Sequence, residues 1–519
     1  MSASLPARCA GILIPLFALR APGDYGRGDI GGLRGFAELA LATGHRLIQL
    51  LPIDETAPGE ASPYSAMSLM AIDPSYIAID PAGDDADPAI AGGGRSSGSV
   101  DLRRLRELKE RRLEAALRRC QSAENDGERE AFAAFKAAEA SWLDSYALFR
   151  ALKERCEERE WSKWPAPLSR HEAEGVGAAA RELAARIETL RYFQFVAHRQ
   201  WNATRAALRS RGVYLGGDLA FSAARDSVEV WANQEMYDLT RAVGAPPDAF
   251  SPTGQRWGLP MPNWRRMRAD GFRLLRERIR HARKLYDVLR IDHVVGLFRT
   301  YAYPCDGEGE GAFDPADEAE QRAQGREILG IILEEAGPMR LIAEDLGVIP
   351  GFVREVMAEM GIPGYKVPRW ERDYSAADEP FIEPHSYPMQ AVVTTGTHDT
   401  ETLAEWWEAA GKDERAAFLS ALHIGGEASA ARAQLDEATR EAILEEVYRS
   451  PAQLALTPIQ DLFGWRERIN VPGTIGAANW SWRLPFDPGE ALRDPAWQAR
   501  LKRIRAISER TGRFASSAG

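Results

Sequence analysis

The sequence predicts an α/β fold, a (β/α)8 TIM barrel with inserted helical subdomains. Short apolar runs bounded by Gly, Pro or polar residues recur from end to end, helix-period segments separate most of them, and there are eight such runs. Runs of this kind are what strands buried on both faces look like. In order they are 11–17 (GILIPLF), 46–52 (RLIQLLP), 212–219 (GVYLGGDL), 287–293 (DVLRIDH), 340–345 (RLIAED), 363–368 (PGYKVP), 391–396 (AVVTTG) and 454–460 (LALTPIQ). Among the intervening helices, 31–43 spaces Leu33, Phe36, Leu39 and Leu41 at helical intervals, and 401–410 follows the helix-start signal His398-Asp399-Thr400. Alternating strands and helices predict a parallel sheet covered by helices, and eight units predict a closed barrel before an open, doubly wound sheet.

The spacing of these units is uneven. At about 150 residues per domain, 519 residues would make three or four domains, but barrels routinely exceed that ratio. One barrel domain over 1–519 with two large insertions accounts for the length. The first insertion, 53–211, contains a Gly/Ser/Asp-rich linker at 82–100 and then amphipathic helices with Trp142, Trp161, Trp164 and i,i+4 charge pairs. The second, 220–285, is rich in aromatic residues and prolines and carries the loop 246–262. After about residue 485 only a short basic helical tail remains.

Hydrophobic residues at 45% and charged residues at 27% describe a globular chain, and Lys+Arg 65 against Asp+Glu 76 leaves a net charge of −11. That balance argues against nucleic acid or an anionic membrane as the main partner. Cys9, Cys120, Cys156 and Cys305 lie far apart without CxxC spacing, so neither a disulfide framework nor a zinc site is expected, and a reducing, cytoplasmic compartment fits. No apolar run reaches bilayer length. Arg8 followed by the apolar stretch Cys9 to Leu19 imitates a signal peptide, but it lacks an Ala-x-Ala site and Arg20 follows at once. A buried strand is expected there.

Gly26-Arg27-Gly28-Asp29-Ile30-Gly31 matches GxGxxG, and Asp54 follows the next predicted strand as in a dinucleotide fingerprint. The first glycine of that motif must turn directly off the strand so that the backbone reaches a pyrophosphate. Here Ala21 to Tyr25 intervene, so a turn at the barrel mouth is expected instead of a nucleotide site.

Three predicted strands finish in acids: Arg290-Ile291-Asp292-His293, Ala343-Glu344-Asp345 and Thr397-His398-Asp399-Thr400. The C-terminal strand ends of a parallel barrel open onto one face, so Asp292, Glu344 and Asp399 should converge there. Singly, each has an innocent role: Asp292 can pair with Arg290, Asp399 can cap the helix near Glu401, and Glu344 can be a satisfied structural carboxylate. Jointly, three acids at the same end of three buried strands point to chemistry. Carboxylates without a nucleotide loop or a metal-ligand cluster are what glycosidic-bond chemistry uses. Arg290 would hold Asp292 ionised, and Glu344, ending a very apolar strand, is a raised-pKa acid in expectation. His293 and His398 look like sugar-hydroxyl binders. The eight histidines form no HExxH or comparable cluster, and no metal is expected.

From about residue 10 to about 485 the chain resembles the 4-α-glucanotransferases, or amylomaltases, of glycoside hydrolase family 77. The resemblance rests on RIDH (290–293), AEDLG (343–347), GTHDT (396–400), DYGRGD (24–29), SPYS (62–65), DSVEVWAN (226–233), PPDAFSPTGQRWG (246–258), IQDLFG (459–464) and NVPGT with NWSWR between 470 and 483. It implies a barrel without a C-terminal β-sandwich, no cofactor, and α-1,4-glucans (maltooligosaccharides, amylose, glycogen-derived dextrins) as substrates. It further implies Asp292 as nucleophile, Glu344 as general acid/base and Asp399 as transition-state stabiliser. Arg290, His293, Asp345 and His398 resemble the surrounding sugar-binding set, as do Tyr64, Phe250, Gln255 and Trp257, with Asp461 and Asn470 as further carry-overs.

The chain departs from the family pattern at Ala249, Leu259, Pro262 and Ala220, which touch acceptor binding and not the three acids. Other readings to separate are an α-glucan hydrolase using the same acids, a non-catalytic glucan-binding protein and a nicotinamide-dependent oxidoreductase. No sequence feature reports the oligomeric state.

Overall fold

The computed structural model describes residues 5–79, 101–122, 125–247, 254–306, 309–425, 427–474, 476 and 478–514. Its strands are β1 (Cys9–Leu13), β2 (Leu47–Gln49), β3 (Tyr214–Leu219), β4 (Tyr237–Ala245), β5 (Gln255–Pro262), β6 (Val288–Ile291), β7 (Thr300–Pro304), β8 (Ala312–Asp314), β9 (Arg340–Ala343), β10 (Gly364–Lys366), β11 (Ala391–Thr394) and β12 (Leu454–Pro458). Eight of them pair side by side in the order β10-β11-β12-β1-β2-β3-β6-β9, chain order carried around a ring, and every pairing is parallel. Each predicted apolar run overlaps one of these strands.

Ring closure falls between β9 and β10. There the Ala343 N–H donates to the Pro363 carbonyl at 2.9 Å, and the Tyr365 N–H donates to the Asp345 carboxylate at 2.6 Å. Side chains from all eight barrel strands (Cys9, Leu47, Tyr214, Val288, Ile342, Tyr365, Val392, and Leu454 with Leu456) pack into a buried cluster inside the ring. This is a filled barrel core and not a pore.

The first strand differs from its predicted bounds. It runs from Cys9 to Leu13, and Pro15 turns the chain into the 3-10 segment Leu16–Ala18, because a proline nitrogen has no hydrogen to give a sheet. The stretch that imitates a signal peptide is thus a buried strand with a neighbour on each side, followed by a buried 3-10 turn.

The glycine motif forms no phosphate cradle. Asp24 accepts from the Gly26 N–H at 2.8 Å, and Asp29 accepts from the Gly31 and Gly32 N–H groups at 3.0 and 3.3 Å, so protein carboxylates occupy the amides an anion would need. Gly28 is there for another reason: a Cβ on it would stand 2.2 Å from the Leu16 carbonyl oxygen.

Between β2 and β3 the chain forms the long helices Leu102–Cys120, Asp126–Arg155 and Ala184–Ser210. The first starts on Asp101, whose side chain accepts from the Arg103 and Arg104 N–H groups. Between β3 and β6 lies the insertion 220–285, where Gln255–Pro262 of the expected loop is strand β5. A second, antiparallel sheet forms there in the order β5-β4-β7-β8, and two of its strands come from the segment after β6.

Among the described residues no helix is long and apolar enough to cross a membrane, and no group of three or more His, Cys, Asp or Glu could hold a metal ion.

Candidate active site

The C-terminal strand ends bring a set of charged groups to one mouth of the barrel. Arg290 lies on β6 with its guanidinium buried, and its Nη1 donates to both oxygens of Asp218 at 2.8 and 2.7 Å and to Asp292 at 2.7 Å. Its Nη2 approaches Glu344 at 3.9 Å, so one guanidinium spans Asp292 and Glu344. Burial alone would drive the proton off Arg290, but Asp218 and Asp292 outweigh it and keep the arginine charged.

Glu344 follows the last residue of β9. Its two oxygens accept from the His293 and Leu346 N–H groups at 2.9 Å each, and its side chain is 14% exposed. His293 adopts φ 46°, a left-handed value uncommon for a residue with a Cβ, and this turn aims its N–H at Glu344. Burial raises Glu344 to about 7; Arg290 opposes the shift and Asp292 adds to it. Burial also lowers His293 to about 4, so its ring is neutral at pH 7. Asp292 lies nearer solvent, with its side chain 22% exposed.

Asp399 lies on the loop after β11 and has opposite surroundings. Burial pushes its carboxyl up, but His398 at 3.1 Å and the Asn470 amide, donating at 2.6 Å, outweigh that and hold it at about 2. Its side chain remains 43% exposed, facing the cleft. Arg468 donates to the Asp399 carbonyl and to that of Asn470, tying two loops together at this acid.

Tyr64, from the loop after β2, donates to Asp218 at 2.7 Å and stacks on His398 with ring centroids 5.3 Å apart. Trp480 completes this aromatic corner, 5.9 Å from Tyr64 and 6.0 Å from His398. Trp257 stands edge-on to His293 at 4.8 Å, and its indole N–H donates to Gln255 at 3.1 Å. Flat apolar faces beside carboxylates suit sugar rings, which have an apolar face and a polar edge.

Phe250 lies outside the described residues. Asp345 and Asp461 are buried and engaged by protein partners. Asp345 accepts from Arg354 and from the Tyr365 N–H, while Asp461 accepts from the Thr395 hydroxyl and the Leu403 N–H at 2.6 and 2.7 Å. Asp345 thus ties the end of β9 to β10 and to Arg354. Asp461 instead secures both ends of the loop that carries Asp399.

Two site residues escaped the sequence reading. Asp218 is the next-to-last residue of β3, and an acid near the end of a predicted strand is the same signal that found the other three. Trp480 lies within the NWSWR block without being picked out from it.

The sequence pattern of the glycoside hydrolase 77 family, described as 4-alpha-glucanotransferase, matches residues 14–487. The chain is 34% identical to the 4-alpha-glucanotransferase of Thermus thermophilus over 97% of this chain and 99% of that one. It is 32% identical to that of Chlamydia pneumoniae over 91% of each. Among solved structures it is similar to an amylomaltase from Streptococcus agalactiae in complex with acarbose, with a TM-score of 0.83 and 27% identity over 98% of this chain and 100% of that one. With the barrel, the acids at its mouth and this match over nearly the whole length, the chain belongs to glycoside hydrolase family 77, the 4-alpha-glucanotransferases.

Proposed function

We propose that the chain transfers a segment of an α-1,4-glucan to the 4-hydroxyl of another glucan or of glucose by a retaining double displacement. The observation that carries this mechanism is the single Arg290 guanidinium held between Asp292 and Glu344. Near pH 7 a carboxyl that titrates at about 7 is protonated in a large fraction of molecules, so Glu344 can give its proton to the glycosidic oxygen. Asp292, beside the arginine, attacks the anomeric carbon. The bond from that carbon to the leaving oxygen breaks as the bond to the Asp292 oxygen forms. The proton goes from Glu344 to the departing sugar, leaving a β-linked glucosyl ester and an ionised Glu344.

An acceptor then enters. Glu344 takes the proton from its 4-hydroxyl, the hydroxyl oxygen attacks the same carbon, Asp292 leaves, and an α-1,4 bond is remade. For a retaining pair the two carboxyls should stand roughly 5–5.5 Å apart in the substrate complex. Asp399, kept ionised by His398 and Asn470, binds ring hydroxyls and favours the distorted, cation-like state over the ground state. One α-1,4 bond replaces another, so the exchange requires no nucleotide.

The test is incubation with maltotriose. Transfer yields glucose and longer oligomers at constant reducing-end concentration. A rise in reducing ends would make the protein a hydrolase, and retention of transfer by Asp292→Asn would overturn the assignment of the nucleophile.

A further inference from the structure

The loop that carries Tyr64 is held from outside the barrel by buried polar side chains of the three long helices between β2 and β3. Glu55, at the base of the loop, is 1% exposed. Its carboxylate accepts from Arg150 Nε at 2.9 Å and from the Tyr146 hydroxyl, and Arg106 Nη1 lies 3.7 Å away. Arg106 Nη2 also donates to the Thr56 carbonyl and to Asp73, both at 3.1 Å. Gln194 grips the other strand of the loop: its amide accepts from the Ile72 N–H at 3.0 Å and donates to the Ile72 carbonyl at 2.9 Å. Gln194 also donates to the Tyr146 hydroxyl, which joins the two grips.

The backbone passes the constraint on. Glu55 gives its carbonyl to the Met67 N–H at 2.7 Å and its own N–H to the Ala71 carbonyl at 2.8 Å, and Thr56 pairs with Ala66. Tyr64 lies two residues before Ala66, at the far end of this frame, where its hydroxyl meets Asp218. A desolvated carboxylate shared by two arginines and a tyrosine is costly to maintain for stability alone, since apolar residues could fill the same space. What it supplies is one fixed geometry.

We propose that Glu55, held by Arg150, Arg106 and Tyr146, is a positioning residue that sets Tyr64 against the substrate, so that the helices between β2 and β3 serve sugar binding from behind the site. This rests on the reading of Tyr64 as a glucan contact. Glu55 acts through the loop and touches no reacting atom.

The experiment compares Glu55→Gln with the gentler Tyr146→Phe, which keeps the ring and loses only the hydroxyl. Glu335→Gln, which breaks an ion pair with Arg276 and Arg280 remote from the loop, controls for general destabilisation. Amide hydrogen exchange over 57–72 should quicken at least tenfold in both loop variants and not in the control. The KM for maltotriose should rise at least fivefold in Tyr146→Phe with kcat within twofold, and adding Tyr64→Ala to that variant should raise it little further. Unchanged exchange over 57–72 in a folded Tyr146→Phe protein overturns the proposal. So does quickened exchange with an unchanged KM, or a full additive effect of Tyr64→Ala. Tyr64→Ala without kinetic effect in the wild-type background removes the reading of Tyr64 itself, and absence of transfer by the wild type removes the proposed function. The outcomes are thus separable.

Discussion

Glu344 and Asp399 bear the same functional group at the same mouth, and their neighbours push them apart. Glu344 is raised to about 7 by burial and the nearby Asp292, whereas Asp399 is held at about 2 because His398 and Asn470 outweigh its burial. The consequence for rate follows from which form each step needs. The first displacement needs protonated Glu344, so kcat/KM for maltotriose should fall about tenfold per pH unit above pH 7, measured with initial rates from pH 5 to 9. Asp399 does not titrate in that range and adds no second limb.

Replacing Asn470 by Asp removes the amide donor and places a like charge beside Asp399. At pH 7 kcat should drop by roughly tenfold to a hundredfold, and it should partly recover towards pH 5, where the two carboxyls can share a proton. A uniform loss at all pH values would count against this electrostatic account. The residues legible in advance were those whose side chains had a chemical reason to lie at a strand end. Asp345 and Asp461 came from the family resemblance, and what their carboxylates hold, the Tyr365 and Leu403 N–H groups among others, is set by partners that no local pattern announces.

Among elements, the eight barrel strands were readable because burial on both faces leaves little but apolar residues in them. The antiparallel sheet was not. The β4–β5 pairing has register shifts between Asp238 and Ala242 and between Ala242 and Gly244, which break the two-residue alternation that reveals a half-exposed strand. β5 also contains Gly258, Pro260 and Pro262, residues that sequence rules assign to turns. This sheet is what carries Trp257 to the edge of His293. If Trp257 stacks on the acceptor sugar and excludes water while the glucosyl intermediate lives, Trp257→Ala should raise the ratio of hydrolysis to transfer several-fold, read from reducing ends against oligomer yield. An unchanged ratio would leave the indole with a packing role only.

At the scale of the molecule, the ring depends on a side chain at its β9–β10 closure. Asp345 receives the Tyr365 N–H and Arg354, and Gly364 makes room for it, since a Cβ there would lie 2.7 Å from Asp345 Oδ1. Asp345→Ala strands a buried N–H and empties a filled site, so unfolding free energy should fall by about 2–4 kcal/mol in urea titrations. The KM of the folded variant should change less than twofold. A large rise in KM with unchanged stability would return Asp345 to the sugar-binding set.

The pairing of β1 with β12 bears on how the chain reaches this state. Arg8 bonds the Ser450 carbonyl across 442 positions of sequence, and Arg513 reaches the Cys9 carbonyl across 504. During synthesis β1 leaves the ribosome long before β12 and waits with one edge unpaired until β12 has emerged. Loop-closure entropy makes such distant pairings slow to form. Nascent chains stopped before β12 should therefore expose a sticky strand edge, making this enzyme a natural client for chaperones that shield such edges.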